Sequence, residues 1–159
     1  MKTSFSRCFR RTEQGSVAIE AAIILPILIL FLAVPIFLAR IFWYYSVVEK
    51  AAHDSARFLS QASKVEIFGP GNGGKPGVVG LVEGIIDAEL EEIKPGVEML
   101  PPTILCGGYT CGGESAPADV RVAVRILVRD EMFAPVTNSI FGEDGLRLTA
   151  DVTMRYAGN

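Results

Sequence analysis

Apolar residues are concentrated near the N-terminus, where they form one uninterrupted run. Residues 21–39 contain no charged side chain, and as a helix this segment is about 28 Å long, close to the roughly 30 Å hydrocarbon core of a bilayer. The pattern predicts a transmembrane helix, which we begin at Ser16 and extend to about Ser63. Pro26 and Pro35 lie inside it. Transmembrane helices tolerate proline through local adjustment, so we expect a bend near each.

Beyond the apolar run, the pattern of this helix becomes amphipathic. From residue 46 to residue 63, charged residues recur four positions apart, as in Lys50 and Asp54, and such residues share a helix face. His53, the one histidine of the chain, lies among them and is interpreted as a solvated side chain rather than a catalyst. The apolar stripe predicted to hold the following domain consists of Val47, Val48, Phe58 and Leu59.

The C-terminal half alternates apolar and polar residues with period two, which is typical of a half-buried antiparallel sheet. Strong strands are predicted over residues 118–130 and 145–156, and a weaker strand, broken by Pro101-Pro102, over residues 97–105. Residues 81–94 carry a helical apolar stripe. The expected fold class is α+β: a long N-terminal transmembrane helix followed by a small antiparallel β-sheet domain with a second helix.

The segments between these elements are interpreted as connections. Residues 69–77 form a linker rich in glycine and proline, and residues 131–141 a loop or short helix. The polar faces of the two strong strands carry five arginines, for which two interpretations stay open. They are either solvated and paired across strands, or they form a docking surface for a partner: Arg121, Arg125, Arg129, Arg147 and Arg155.

Composition and charge agree with one membrane segment and one small domain. Half of the 159 residues are hydrophobic, and the mean hydropathy of +0.36 is high for a soluble domain of this size. Residues 1–15 have a net charge of +3, whereas the rest of the chain carries −6. By the positive-inside rule, the basic leader stays in the cytoplasm and residues 64–159 form an exported domain. The acidic charge of that domain argues against nucleic acid as a partner.

A cation and aromatic rings close the apolar run. Arg40 is followed by Trp43, Tyr44 and Tyr45, and aromatic rings beside a cation at the end of an apolar segment are typical of a membrane–water interface. We predict that these four residues anchor the helix there. A partner-binding aromatic patch is the alternative.

The three cysteines fall into two compartments under this topology. Cys8 lies in the leader and is expected to stay reduced, whereas Cys106 and Cys111 lie in the exported part and are candidates for a disulfide. No second cysteine pair or nearby histidine completes a zinc or redox site. The sequence contains no credible Ser/His/Asp, Cys/His or metal-binding arrangement, so we expect no enzyme, no cofactor and no small-molecule substrate.

One carboxylate lies at the edge of the apolar run. Glu20 follows Gly15 by five positions, and ionisable groups in membrane helices usually have a partner because a lone charge is costly there. No cation lies between Arg11 and Arg40. Cleavage before Ser16 would create an α-amino group, on this chain or a neighbour, that can pair with Glu20. Glycine suits the cleavage position because it has no side chain and a weak helix propensity.

The basic leader, Gly15, Glu20 and the following apolar helix resemble the type IV prepilin signal that prepilin peptidases read. Residues 14–62, with the Leu25-Pro26 step and the stretch from Ala51 to Arg57, are similar to the TadE-like family, minor pseudopilins of the Flp, or tight-adherence, pilus. The two terminal strands are also similar to that family, more loosely.

This resemblance implies a site and a set of partners. Cleavage would fall between Gly15 and Ser16, with Glu20 as the recognition and assembly residue. The partners would be the inner membrane, a prepilin peptidase, other pilins and pseudopilins, and the Tad assembly machinery. One departure is Ala21, where major Flp pilins have Tyr and TadE-like proteins often Phe, which argues against a major subunit.

Two other topologies are considered. A cleaved secretory signal fits poorly because its apolar region spans about 7–15 residues and ends at an A-x-A site. An uncleaved bitopic inner-membrane protein with a periplasmic partner-binding domain is the main alternative to the pseudopilin.

Overall fold

The computed structural model describes residues 14–69, 76–112, 116–129, 142 and 145–158. Contacts divide the chain into two compact units, residues 1–40 and residues 41–159. Residues 1–13 of the leader, most of the predicted linker over 69–77 and the predicted loop over 131–141 lie outside the described residues.

The first element is the 48-residue helix α1, Gln14–Gln61, which continues through Pro26 and Pro35. It begins two residues before the predicted start at Ser16 and ends two residues before Ser63. It is long and apolar enough to cross a membrane, and the described residues contain no second such helix. The predicted N-terminal membrane-type helix is therefore confirmed in length and composition.

A short helix that the sequence analysis omitted follows directly. Helix α2, Lys64–Phe68, begins with a capping box in which Ser63 accepts from the Glu66 N–H and the Glu66 carboxylate accepts from the Ser63 N–H, at 2.8 Å. This reciprocal pair satisfies two backbone donors that a helix start leaves without partners. The chain therefore ends α1 close to the predicted end and starts a new helix in residues 64–68, to which no element was assigned from the sequence.

The second predicted helix is present but shifted. Helix α3, Gly77–Leu90, begins four residues before the predicted start, and a 3-10 helix, Glu91–Gly96, follows it. Pro95 lies within this last turn. The start at Gly77 takes the last residue of the predicted linker into the helix.

The strands form one antiparallel sheet in the order β2-β1-β3-β4. Strands β1 (Val97–Cys106), β3 (Asp119–Val128) and β4 (Leu146–Arg155) confirm the three predicted strands, and the two-residue β2 (Tyr109–Thr110) was not predicted. The register of β1 against β3 shifts between Leu100 and Thr103. Pro101 and Pro102 lie at this point, where proline cannot donate to the ladder. The α+β fold class is confirmed.

One face of the sheet forms the core and the other is polar. The inward residues of β3 are 0–3% exposed and pack with the apolar faces of α1 and α3. On the polar face, three of the five arginines pair across strands. Arg121 holds Asp151, Arg129 contacts Glu98 at 2.7 Å, and Arg125 donates to Thr103 Oγ1 at 2.6 Å.

Candidate functional site along the N-terminal helix

The predicted cleavage position lies at the very start of α1. The backbone of Gly15 and Ser16 is helical and belongs to the first turn. The first four N–H groups of a helix have no partner within it, and glycine in a helix costs about 1 kcal/mol relative to alanine. The peptide bond after Gly15 is thus in the part of α1 that most readily adopts the extended backbone a peptidase needs.

Glu20 lies one turn further along, among apolar neighbours. Ile19 and Ile23 on either side of it are 66% and 61% exposed. Within the described part of the chain, no basic side chain pairs with the Glu20 carboxylate. A carboxylate on an exposed apolar helix surface needs a partner or water when that surface is covered. The geometry leaves Glu20 available to a cation from outside the described residues.

The surface of the predicted membrane segment is almost uniformly apolar and uncovered. Its exposed large apolar side chains range from 46% exposure at Leu38 to 73% at Phe31. An apolar surface of this extent is not stable in water and marks contact with lipid or with other proteins. The single described helix of this kind therefore indicates a single-pass membrane protein.

The four residues predicted for the membrane–water interface differ in their exposure in the structure. Arg40 is exposed, and Trp43 and Tyr45 are 49% and 40% exposed. Tyr44, in contrast, is only 4% exposed and belongs to the core of residues 41–159. Its ring centroid lies 5.4 Å from that of Trp43. The expectation for Tyr44 is therefore corrected, because its position on the buried stripe of α1 makes its ring unavailable to a bilayer surface.

The second half of α1 is held by a buried stripe of mostly small residues. Leu59 is fully buried as predicted, but Phe58 is 39% exposed and lies outside the stripe. The prediction for Phe58 was wrong because consecutive side chains on a helix point about 100° apart. Phe58 therefore points away from the direction of its buried neighbour Leu59. The buried positions follow helical spacing instead: Tyr44, Val47, Val48, Ala51, Ala52, Ser55, Ala56 and Leu59. The alanines allow the neighbouring elements to approach the α1 backbone closely.

An ion pair joins α1 to α3. Lys50 Nζ donates to Glu89 Oε2 at 2.6 Å, so its main partner is on another element and not Asp54, which shares its helix face. This hydrogen bond is the largest cause of the raised pKa of Lys50, followed by the charge of Glu89. His53 is 58% exposed, in agreement with its interpretation as a solvated side chain.

The C-terminal end of α1 is tied to the end of the chain. The N–H of Ala157 donates to the Ser60 carbonyl at 2.9 Å, and the Tyr156 hydroxyl donates to the Ala62 carbonyl at 2.8 Å. Carbonyls at a helix end lack hydrogen-bond donors within the helix. The segment after β4 supplies two such donors. Burial raises the pKa of the Tyr156 phenol, and the charge of Glu66 adds to this effect. No period or motif in the sequence predicts this link.

The two cysteines of the C-terminal domain are joined. Cys106 and Cys111 form a disulfide, Sγ–Sγ 2.05 Å, across the β1–β2 turn. Gly107 and Gly108 adopt φ of 63° and 84° in this turn, which side chains other than glycine rarely adopt. Among the described residues, no three His, Cys, Asp or Glu side chains come together in a way that could hold a metal ion.

Comparison with known proteins finds a similarity to one sequence family, and this similarity covers the candidate site. Residues 15–57 match the family described as "TadE-like protein", which confirms the resemblance inferred from the sequence. No curated protein and no solved structure matches the chain. The match begins at Gly15 and ends within the buried stripe of α1. Together with the apolar helix, it indicates a membrane protein associated with the Tad pilus.

Proposed function

We propose that this chain is a minor pseudopilin of a Flp, or tight-adherence, pilus, which a prepilin peptidase cleaves between Gly15 and Ser16. The observation that carries the proposal is Glu20, a carboxylate on an exposed apolar helix five residues after Gly15. The family match begins at that same glycine. In this proposal, removal of residues 1–15 supplies the positive charge that Glu20 lacks among the described residues.

The pairing of Glu20 with a new N-terminus follows from charge and geometry. A free α-amino group has an ordinary pKa near 8 and is mostly protonated at neutral pH. Ser16 and Glu20 are four residues apart, about one turn of helix, so the same end of α1 offers both the ammonium and the carboxylate. Two copies, or this chain and another pilin, then pair amine with carboxylate in a medium where such an interaction is strong.

Topology supports the proposal independently. The basic leader is expected to hold the N-terminus in the cytoplasm, which places the cleavage site on the cytoplasmic face of the inner membrane and residues 64–159 outside it. Disulfides persist in oxidising compartments, and the bond between Cys106 and Cys111 supports an exported domain. The protein resides in the inner membrane before assembly and joins a pilus afterwards.

The proposed role is structural and not enzymatic. The apolar surface of residues 21–39 packs among other pilin helices, where van der Waals contacts and the Glu20 pair drive association. The exported domain then caps or initiates the fibre or contacts the Tad assembly machinery. The buried stripe of α1 makes this domain rigidly continuous with the second half of its own helix.

Variants at the two site residues test the proposal. Replacing Gly15 with leucine is expected to block removal of the leader, because the side chain obstructs the peptidase. Glu20→Ala is expected to leave membrane insertion and cleavage intact and to reduce pili on the cell surface. Glu49→Ala is the matched control, since it removes an exposed carboxylate from the same helix outside the apolar run. Normal pili in both site variants would contradict the proposal.

The departure at Ala21 favours one alternative, an uncleaved bitopic inner-membrane protein with a periplasmic partner-binding domain. In that case the chain keeps residues 1–15 both with and without Gly15→Leu, and its location does not change. Immunoblots of membrane and sheared-pilus fractions separate the two functions, because only the pseudopilin is expected to enter the pilus fraction.

A further inference from the structure

One edge of the sheet is left uncovered by the described chain. Strand β4 pairs with β3 along its whole length, from Arg155 opposite Asp119 to Leu146 opposite Val128, without a register shift. Among the described residues, no strand pairs with its other edge. An edge strand with a row of unpaired N–H and C=O groups is a template for another strand.

The backbone groups on this edge can be identified from one hydrogen bond. The N–H of Tyr156 donates to the Ala118 carbonyl, 3.1 Å, which makes these two residues a hydrogen-bonded pair. Because such pairs alternate along an antiparallel ladder, the even-numbered residues of β4 bond to β3. The odd-numbered residues direct their N–H and C=O groups outward: Arg147, Thr149, Asp151, Thr153 and Arg155.

The two edges of the sheet differ in their protection. The edge at β1 is partly covered by β2 and contains Pro101-Pro102 with a register shift, features by which proteins prevent unwanted strand pairing. Strand β4 contains neither proline nor bulge. Its inward apolar residues Leu148 and Val152 are only half-buried, whereas the inward residues of β3 are at most 3% exposed. The β4 edge thus leaves apolar surface uncovered beside its unpaired backbone.

We propose that the outer edge of β4 pairs with the same edge of a second copy of this chain, antiparallel and centred on Thr149. In this register, Arg147 of each copy lies opposite Asp151 of the other, which gives two equivalent ion pairs. The half-buried Leu148 of each copy lies opposite Ala150 of the other. Opposite charges and apolar pairs facing each other across strands are each stabilising. A pairing of one surface with itself is the two-fold interface most common in protein dimers.

Charge and an occupied hydrogen bond select this register. Only the registers centred on Thr149 and Thr153 set an arginine opposite Asp151. A register centred on Asp151 sets Arg147 opposite Arg155, which is repulsive. The register centred on Thr153 requires the outward N–H of Ala157, which already donates to Ser60. Asp151 is 35% exposed, and a carboxylate accepts enough hydrogen bonds to hold Arg121 and a second arginine together.

Cysteine cross-linking of the full chain in its native membrane tests the pairing. Thr149→Cys, in a Cys8→Ser background, sets two cysteines directly opposite each other at a Cα separation of about 5.5 Å, within the range that a disulfide bridges. Thr153→Cys is the matched control, because it is the same substitution at an exposed residue of the same strand and face. Its two copies lie roughly 26 Å apart along the strands in the proposed register.

With an added oxidant, we expect a cross-linked dimer from Thr149→Cys and none above background from Thr153→Cys. Coexpressed Arg147→Cys and Asp151→Cys chains with different tags should cross-link to each other, and neither should cross-link to itself. Equal dimer bands from both threonine positions, no dimer at all, or cross-linking of Thr149→Cys only to a different protein would each overturn the proposal. The pairing requires neither cleavage nor fibre assembly, so its failure leaves the proposed function standing.

Discussion

The packing of the second half of α1 in the core of residues 41–159 makes a quantitative prediction at two adjacent residues. Leu59 is fully buried against the core, whereas Phe58 is 39% exposed. Leu59→Ala therefore removes a buried side chain and leaves a cavity, and Phe58→Ala removes a larger side chain from the surface. The smaller residue should matter more.

The magnitudes follow from burial. Leu→Ala at a buried site costs about 2–5 kcal/mol, and we expect about 3 kcal/mol for Leu59 because rigid backbone of α1 limits collapse of the cavity. Phe58→Ala should cost about 1 kcal/mol or less, since the loss of partly exposed area is offset by the better helix propensity of alanine. For a unit of this size, the corresponding decreases in Tm are about 10 °C and about 4 °C.

Fluorescence of the one tryptophan provides the assay. Trp43 contacts the buried Tyr44, so its emission reports unfolding of residues 41–159 when the full chain is heated in detergent. The apolar part of α1 is expected to stay in the micelle throughout. A decrease in Tm that is equal for the two variants, or larger for Phe58→Ala, would refute the assignment of the buried stripe.

Three further predictions use the same thermal assay. Gly158→Ala should lower Tm, because the added Cβ would lie 2.1 Å from the Ala62 carbonyl oxygen. Gly80→Ala has open space around it and should raise the free energy of unfolding by about 0.5–1 kcal/mol. Equal effects of the two substitutions on Tm would contradict the link at the end of α1. Cys106→Ser should cost about 2 kcal/mol, the value for closing so short a loop, and added reductant should then leave its Tm unchanged. Asp151→Asn should cost at most about 1 kcal/mol at neutral pH. Hydrogen bonding to the neighbouring guanidinium holds the pKa of Asp151 below its ordinary 3.8, so the difference between wild type and variant should be present above about pH 4 and vanish as pH falls through the lowered pKa. A difference that grows in acid would contradict that sign.

The strands were predictable because their pattern is strict. In β3, apolar residues at even positions and mostly polar residues at odd positions specify one buried face, and the structure buries the predicted side. Two-residue β2 has no room for a period, and it forms because the turn at Gly107-Gly108 and the disulfide bring Tyr109 and Thr110 back beside β1.

The helix boundaries were less predictable because several signals compete there. Ser63 and Glu66 have the spacing of a capping box, so the start of α2 is readable from the sequence, although the prediction ended the long helix at Ser63 and gave residues 64–68 no element. The aromatic cluster after Arg40 was read as a unit, although helical rotation sends Tyr44 into the core and leaves Trp43 and Tyr45 outside. Adjacent residues with one chemistry can lie in different environments.

Contacts between distant segments could not be predicted from spacing at all. The partner of Lys50 is on α3, and the end of α1 is closed by Tyr156 and Ala157. These contacts depend on how the helices cross the sheet, which no local period encodes. The candidate site at Gly15 and Glu20, in contrast, could be predicted from local sequence. Its signal, a carboxylate at the edge of a charge-free helix, lies within a few consecutive residues.

The mass of the mature protein tests the central claim most directly. Intact mass spectrometry of the chain purified from cells with an active prepilin peptidase is expected to give residues 16–159, beginning at Ser16, and cells without the peptidase should give the full chain. A chain that keeps residues 1–15 in the presence of the active peptidase would contradict the pseudopilin assignment and leave a membrane-anchored exported domain.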